Sequence, residues 1–119
     1  MKYTESHEWV DVQGNIATIG VTHHAQKELG DIVFVELPNV GSSVKAGAEV
    51  AVLESTKAAA DVYTPISGMI TEVNSDLNDR PELINADPEK EGWIYKIEIE
   101  DIREMEKLLS PGEYELLTK

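Results

Sequence analysis

The sequence predicts a mainly β protein: a sandwich or flattened barrel of short strands with small peripheral helices and a helix at its C-terminal end. Three observations predict it. Short β-branched runs alternate with turn residues along most of the 119 positions. Glycines flank the middle almost symmetrically, Gly47 ten positions before Lys57 and Gly68 eleven after. Helical spacing appears only briefly, at 23–29 and beyond Asp101. With no linker or low-complexity tract, residues 1–119 read as one domain.

Taken in order, His7 to Val12 reads as a strand, Gln13-Gly14-Asn15 as a turn, and Ile16 to Val21 as the returning strand of a hairpin. Thr22 has the character of a helix N-cap, His23 to Leu29 supplies one or two turns, and Gly30 is the expected left-handed stop. Asp31 to Leu37 is a strongly β-branched run ended by Pro38, and Pro38 to Ser43 is a loop. Val50-Ala51-Val52-Leu53 leads into Lys57 and Ala60-Asp61-Val62-Tyr63 leads away, which predicts a hairpin with the lysine at its tip. Thr64 to Gly68 is a turn and Met69 to Val73 a strand. Val40-Gly41 before the hairpin and Ser67-Gly68 after it hint at internal pseudo-symmetry. Asn74 to Pro88 is polar, broken by Pro81 and Pro88, and is expected to be mainly loop. Gly92 to Glu100 alternates cleanly and closes the sheet. Asp101 and Glu104 have capping-box spacing ahead of Ile102, Met105, Leu108 and Leu109 on one helical face. Ser110-Pro111-Gly112-Glu113 repeats that signal with proline at the first helical position. The last helix is expected to lay Tyr114, Leu116 and Leu117 on the sheet.

Composition narrows the functional classes. With 23 acidic and 10 basic residues the formal charge is −13, a surface that repels phosphate backbones and anionic lipid. Neither nucleic acid nor membrane is an expected partner. The apolar fraction of 41% and charged fraction of 28% describe a soluble globular chain, expected to act as a monomer. No cysteine is present, so disulfides, thiolate metal sites and cysteine nucleophiles are excluded. The N-terminal residues lack a signal-peptide core and are too acidic for a transit peptide. The expected location is the cytoplasm, or the mitochondrial matrix if a leader has been removed.

No autonomous active site can be read from the sequence. His23 and His24 are adjacent, and neighbours on a helix point about 100° apart, so they make a poor metal pair. With His7 they read as solvated or capping side chains, and no metal site is expected. No serine lies on a Gly-x-Ser-x-Gly elbow, and no catalytic residue is singled out. Lys57 remains. A Schiff-base role needs a lowered pKa, whereas Glu54 and Asp61 would hold the ammonium charged. Attachment of a cofactor suits a hairpin tip, because a modifying enzyme must approach the amine from outside. The small neighbours Ser55, Thr56, Ala58 and Ala59 leave that approach open. A plain exposed turn lysine is the bland alternative.

The chain resembles the H protein family of the glycine cleavage system over nearly its full length. The resemblance begins with Tyr3-Thr4 and Ser6-His7-Glu8-Trp9-Val10, followed by Ala17-Thr18-Ile19-Gly20-Val21-Thr22. It continues through Leu29-Gly30-Asp31-Ile32-Val33-Phe34-Val35-Glu36-Leu37-Pro38 and Glu54-Ser55-Thr56-Lys57-Ala58. Pro81-Glu82-Leu83-Ile84-Asn85, Gly92-Trp93 and Glu113-Tyr114 complete it. Each piece is short, but their order and spacing together are highly specific. The resemblance implies the barrel-sandwich hybrid of lipoyl and biotinyl domains, with lipoic acid in amide linkage on Lys57 and Glu54 as a recognition residue for lipoylation. It implies a carrier that is not itself an enzyme. Its partners would be the pyridoxal-phosphate glycine decarboxylase, the tetrahydrofolate-dependent aminomethyltransferase, dihydrolipoamide dehydrogenase and the lipoate-attaching enzymes. Family members are described as tucking the loaded arm into a cleft, for which Ser6, Glu8 and Asp61 are the candidates here. Glu8 is alternatively an outward residue of an edge strand.

The departures are few. Thr56 stands where the family more usually has valine, and Ala60 where serine is frequent. A biotinyl carrier would typically flank its lysine with methionines, and a 2-oxo acid dehydrogenase lipoyl domain would place aspartate before it. A free-standing protein that relays lipoyl groups to other enzymes would share this attachment segment, and an unmodified acidic interaction module would leave Lys57 free.

Overall fold

The computed structural model describes residues 1–119. Its elements are β1 (Lys2–Tyr3), β2 (Glu8–Gln13), β3 (Ile16–Val21), α1 (His23–Leu29), β4 (Ile32–Glu36), β5 (Ser43–Val44), β6 (Glu49–Ser55), β7 (Ala59–Tyr63) and β8 (Gly68–Val73). The chain continues through α2 (Asp76–Asp79), α3 (Leu83–Ala86), β9 (Tyr95–Ile99), a 3-10 helix (Ile102–Lys107) and α4 (Pro111–Thr118). Two antiparallel sheets result, one in the order β1-β2-β3-β9-β8-β5 and the other β4-β6-β7. The mainly β expectation holds, with a C-terminal helix where the sequence put it.

Alternation builds the interior. Val10, Ile19, Ile70 and Ile97 of the larger sheet and Val35, Ala51, Leu53 and Val62 of the smaller belong to one cluster of 17 buried residues. The β2–β3 hairpin turns at Gly14, whose φ of +65° is open to glycine at no steric cost.

Several expectations need correction. Asn74 to Pro88 is not mainly loop: α2 and α3 each form a single turn there, and they send Leu77, Leu83 and Ile84 into the core. Gly30 does cap α1 at positive φ, but its ψ of −159° takes it outside the left-handed helical region into a conformation essentially reserved for glycine. Ser43 is strand rather than loop, pairing with Met69. The predicted helix after Asp101 is 3-10, with no capping box. Asp101 accepts from Arg103 N–H, while the Glu104 carboxylate accepts from both Ser67 N–H and Ser67 Oγ–H, at 2.7 and 3.0 Å. Ile102 therefore faces solvent, while Met105 and Leu108 pack on the core.

The capping box at Ser110 and Glu113 is present and opens α4. Its apolar stripe does not lie on the sheet, however. Tyr114 is buried, whereas Leu116 and Leu117 are exposed. The helix docks through one aromatic ring, which stacks on Tyr3 at 4.6 Å and 9°.

Candidate functional site

Lys57 stands at the tip of the β6–β7 hairpin, where Glu54 pairs with Ala59 and Ser55 N–H donates to Ala58 O at 2.8 Å. Two-residue hairpin turns usually require positive φ, yet no tip residue has it. The Ser55 hydroxyl supplies the support instead. It accepts from Lys57 N–H and Ala58 N–H and donates to Ala58 O, each at 3.1 Å. Thr56 N–H donates to Asp31 O and ties the tip to the start of β4.

The lysine does not point freely into solvent. Its Nζ donates to the Glu28 carbonyl at 3.2 Å, one of the carbonyls left open at the C-terminal end of α1, where a helix favours positive charge. The stem passes over Gly30, where a Cβ would come within 3.0 Å of Lys57 Cε.

Glu28 is also part of the rim of a cleft of about 280 Å³. Val21, Ala25, Leu29 and Leu53 give that cleft an apolar wall, while Glu8, Asp61 and Glu28 give it an acidic side to which Ser6 adds a hydroxyl. Its volume falls just below the roughly 300 Å³ at which drug-sized pockets begin, a scale that suits a slim acyl chain. Another hollow of about 240 Å³, beside β5 and β9, holds none of the site candidates.

Glu8 is not an outward residue of an edge strand. It is 2% exposed, and β1 pairs outside β2. Its Oε1 accepts from the Thr4 and Ser6 hydroxyls, both at 2.6 Å, and its Oε2 from Tyr63 N–H at 3.2 Å. Burial pushes the Glu8 carboxyl up from its ordinary range, and these donors pull it back part of the way. The result is a buried, pre-oriented acid among the residues that line the cleft. Asp61 lies exposed on β7 at the same cleft. Glu54 lies elsewhere, on the solvent side of β6 opposite Phe34, and takes no part in the cleft.

Sequence reading missed three participants, Thr4, His24 and Glu28, and put His7 near the cleft only through the resemblance, with no role. Thr4 clamps Glu8, donating to its carboxylate and accepting from its N–H. His7 lines the cleft at φ +72°, the one non-glycine residue with positive φ, and its Nδ1 is 2.8 Å from the Tyr114 hydroxyl. His24 packs its ring 4.5 Å from that of His7 and reaches Glu28 at 2.8 Å. Glu28 itself was legible only as the i+4 partner of His24 on a helix. No group of three or more histidine, acidic or cysteine side chains is arranged to hold a metal. No helix is long and apolar enough to cross a membrane.

Two antiparallel sheets that raise one lysine on a hairpin, beside a cleft with a buried acid, define a carrier domain of the lipoyl and biotinyl class. The chain belongs to the glycine cleavage H-protein family, whose model matches residues 1–119. A glycine cleavage system H protein of Thermotoga maritima is 57% identical over 114 residues, covering 96% of this chain and 92% of the relative. A probable glycine cleavage system H protein of Aeropyrum pernix is 56% identical over 114 residues, covering 96% and 80%. The crystal structure of a glycine cleavage system H protein from Mycobacterium marinum superposes with a TM-score of 0.87 at 39% identity, covering 95% of this chain and 91% of that one.

Proposed function

We propose that Lys57 carries lipoic acid in amide linkage and that the protein shuttles the aminomethyl group of glycine. The route runs from the pyridoxal-phosphate glycine decarboxylase to the tetrahydrofolate-dependent aminomethyltransferase, with dihydrolipoamide dehydrogenase restoring the disulfide. The bound dithiolane supplies the redox and carrying chemistry; the chain supplies display, seating and shelter, and no catalytic residue of its own. Glu54, exposed three positions before Lys57, is read as a recognition residue for the attaching enzyme. The protein is read as a monomer that works in the cytoplasm or the mitochondrial matrix.

The observation that carries this reading is the seat of Lys57 Nζ on the Glu28 carbonyl, at the rim of a cleft with Glu8 inside it. An amide nitrogen keeps one proton, so the modified lysine can donate to the same carbonyl. Val21, Ala25, Leu29 and Leu53 would seat the apolar chain of an arm on the order of 10 Å, judged from bond lengths. Ser6, Glu8 and Asp61 would supply the polar partners at this cleft: the Glu8 carboxylate would attract a cationic load, and the apolar wall would limit the access of water.

Co-expression with a lipoate-attaching enzyme tests the reading, with intact mass measured and the adduct mapped. A single lipoyl adduct on Lys57 is expected, and its absence would overturn the carrier assignment. Glycine–bicarbonate exchange with the decarboxylase then separates a glycine-cleavage carrier, which supports exchange, from a relay of lipoyl groups, which does not.

A further inference from the structure

The three-stranded sheet has one face in the core and the other in solvent, with β4 at its edge. Cross-strand pairing places Phe34, Glu54 and Ala59 in one row of that outer face, and Glu36, Val52 and Asp61 in the next. Side chains paired directly across a sheet share a face. Within β4 the register shifts: Ile32 lies opposite Ser55 and Phe34 opposite Glu54, so two residues of β4 answer one step of β6. Such a bulge re-aims side chains. Val33 and Phe34, consecutive in sequence, are both turned outward at 55% and 52% exposure, between buried Ile32 and Val35. Glu54 lies directly across from Phe34, Glu36 two positions further along β4 and Asp61 two strands away on β7, and none of the three is ion-paired. An edge strand with two exposed large apolar residues is a liability that proteins usually blunt.

We propose that the Val33–Phe34 patch, with the neighbouring carboxylates of Glu36 and Glu54, is the docking surface for the enzyme that acylates Lys57. Its matching surface is an apolar recess rimmed by arginine or lysine. The proposal rests on reading Lys57 as the lipoyl-attachment residue. Continuity selects this occupant. Enzymes that use the finished arm can meet its reactive end on the order of 10 Å from the backbone, without covering the hairpin root. The attaching enzyme alone must bring its active site to Nζ itself. Phe34 lies opposite Glu54, three residues before Lys57, and the tip is bonded to Asp31, the residue just before the same strand. In the step served, the Lys57 amine, having given up one proton, attacks the acyl carbon of a lipoyl–phosphate mixed anhydride. A C–N bond forms, the C–O bond to phosphate breaks, and the phosphate-bearing group leaves with the electron pair. The nitrogen releases a second proton to solvent to leave the amide N–H, so no electrons are exchanged with an outside donor.

The test is the rate of adduct formation on the purified full chain, with lipoate–protein ligase, lipoate and ATP, followed by intact mass. Phe34→Ser and Val33→Ser are expected to lower kcat/KM about tenfold or more, chiefly through KM, since buried aromatic anchors dominate interfaces. Phe34→Leu should keep most of the rate. Met69→Ser removes an exposed apolar residue from the other sheet and should react as the unaltered chain does. Melting curves check that each variant is folded, which the exposure of these residues favours. Unchanged rates for Phe34→Ser and Val33→Ser would overturn the docking surface while leaving lipoylation intact, and so would an equal loss in Met69→Ser. No adduct on the unaltered chain overturns the reading of Lys57 and the docking surface with it.

Discussion

His7 Nδ1 and the Tyr114 hydroxyl stand 2.8 Å apart, which joins the wall of the cleft to the last helix across 107 positions of chain. The same hydroxyl is 2.7 Å from Thr22 Oγ1, the N-cap of α1. One phenol of α4 therefore fastens together two segments that line the cleft, the one at His7 and the one that opens α1.

Tyr114→Phe should keep the stack on Tyr3 but leave His7 and Thr22 without their shared partner. The expected cost is about 1–3 kcal/mol, the usual penalty for orphaned buried polar groups. Urea unfolding measures it, and an unchanged midpoint would show that the contact is not stabilising.

His7 gives a signed pH dependence. Burial, with the neighbouring His24, lowers its pKa below the ordinary value, while Glu28 works against that shift. A base with a depressed folded pKa contributes stability that is present above its unfolded pKa and lost as pH falls through the folded one. The melting temperature should therefore drop on acidification below about pH 6.5. His7→Asn, which tolerates positive φ, should flatten that part of the profile.

Glu8 acts with the opposite sign. Its folded pKa is raised chiefly by burial, so its contribution is fully present below the ordinary carboxylate range and is lost as pH rises through the folded value. Glu8→Gln should gain melting temperature relative to the unaltered chain as pH rises through that window. Glu8→Ala should separately shorten the lifetime of an aminomethyl load on lipoylated protein. An unchanged lifetime removes Glu8 from the sheltering role.

Ile84→Ala tests the helix that proline obscured. Ile84 is fully buried, so the change should cost about 2–5 kcal/mol. Leu117→Ala, on the exposed side of α4, should stay within about 0.5 kcal/mol. Equal losses at the two sites would contradict the packing described.

Charge gives a last prediction. With a formal charge of −13, coupling to partner enzymes should weaken as salt rises, because exposed charges are screened beyond a Debye length of about 10 Å at 0.1 M. Coupling that ignores salt would leave solubility as the main role of the acidity.

What could be read in advance follows physical lines. Ile16–Val21 was legible to the residue because one face is buried and a turn glycine fixes its start. The tip of the hairpin was legible because apolar runs converge on it. The short helices at 76–79 and 83–86 were not, since a single turn carries no periodicity and two prolines mimic a loop. Glu104 was misread because its carboxylate found a tertiary partner in Ser67 in place of its own helix end. The Ser6-His7-Glu8 segment was placed near the cleft by resemblance alone. Nothing local in it announces that a glutamate is buried, because the donors that make burial tolerable come from Thr4 and from Tyr63, 55 positions away.

The distance in sequence between His7 and Tyr114 also sets an order in time. The lysine hairpin closes through neighbours, Glu54 with Ala59 and Ser55 with Ala58, and it can form once residue 63 has left the ribosome. The wall of the cleft waits for residue 114, because the contact that holds it is among the most non-local in the chain. During synthesis the lysine hairpin can thus close before the cleft beside it is complete. A chain that stopped short of α4 would still present the hairpin, yet would lack the fastening that joins His7 to Thr22.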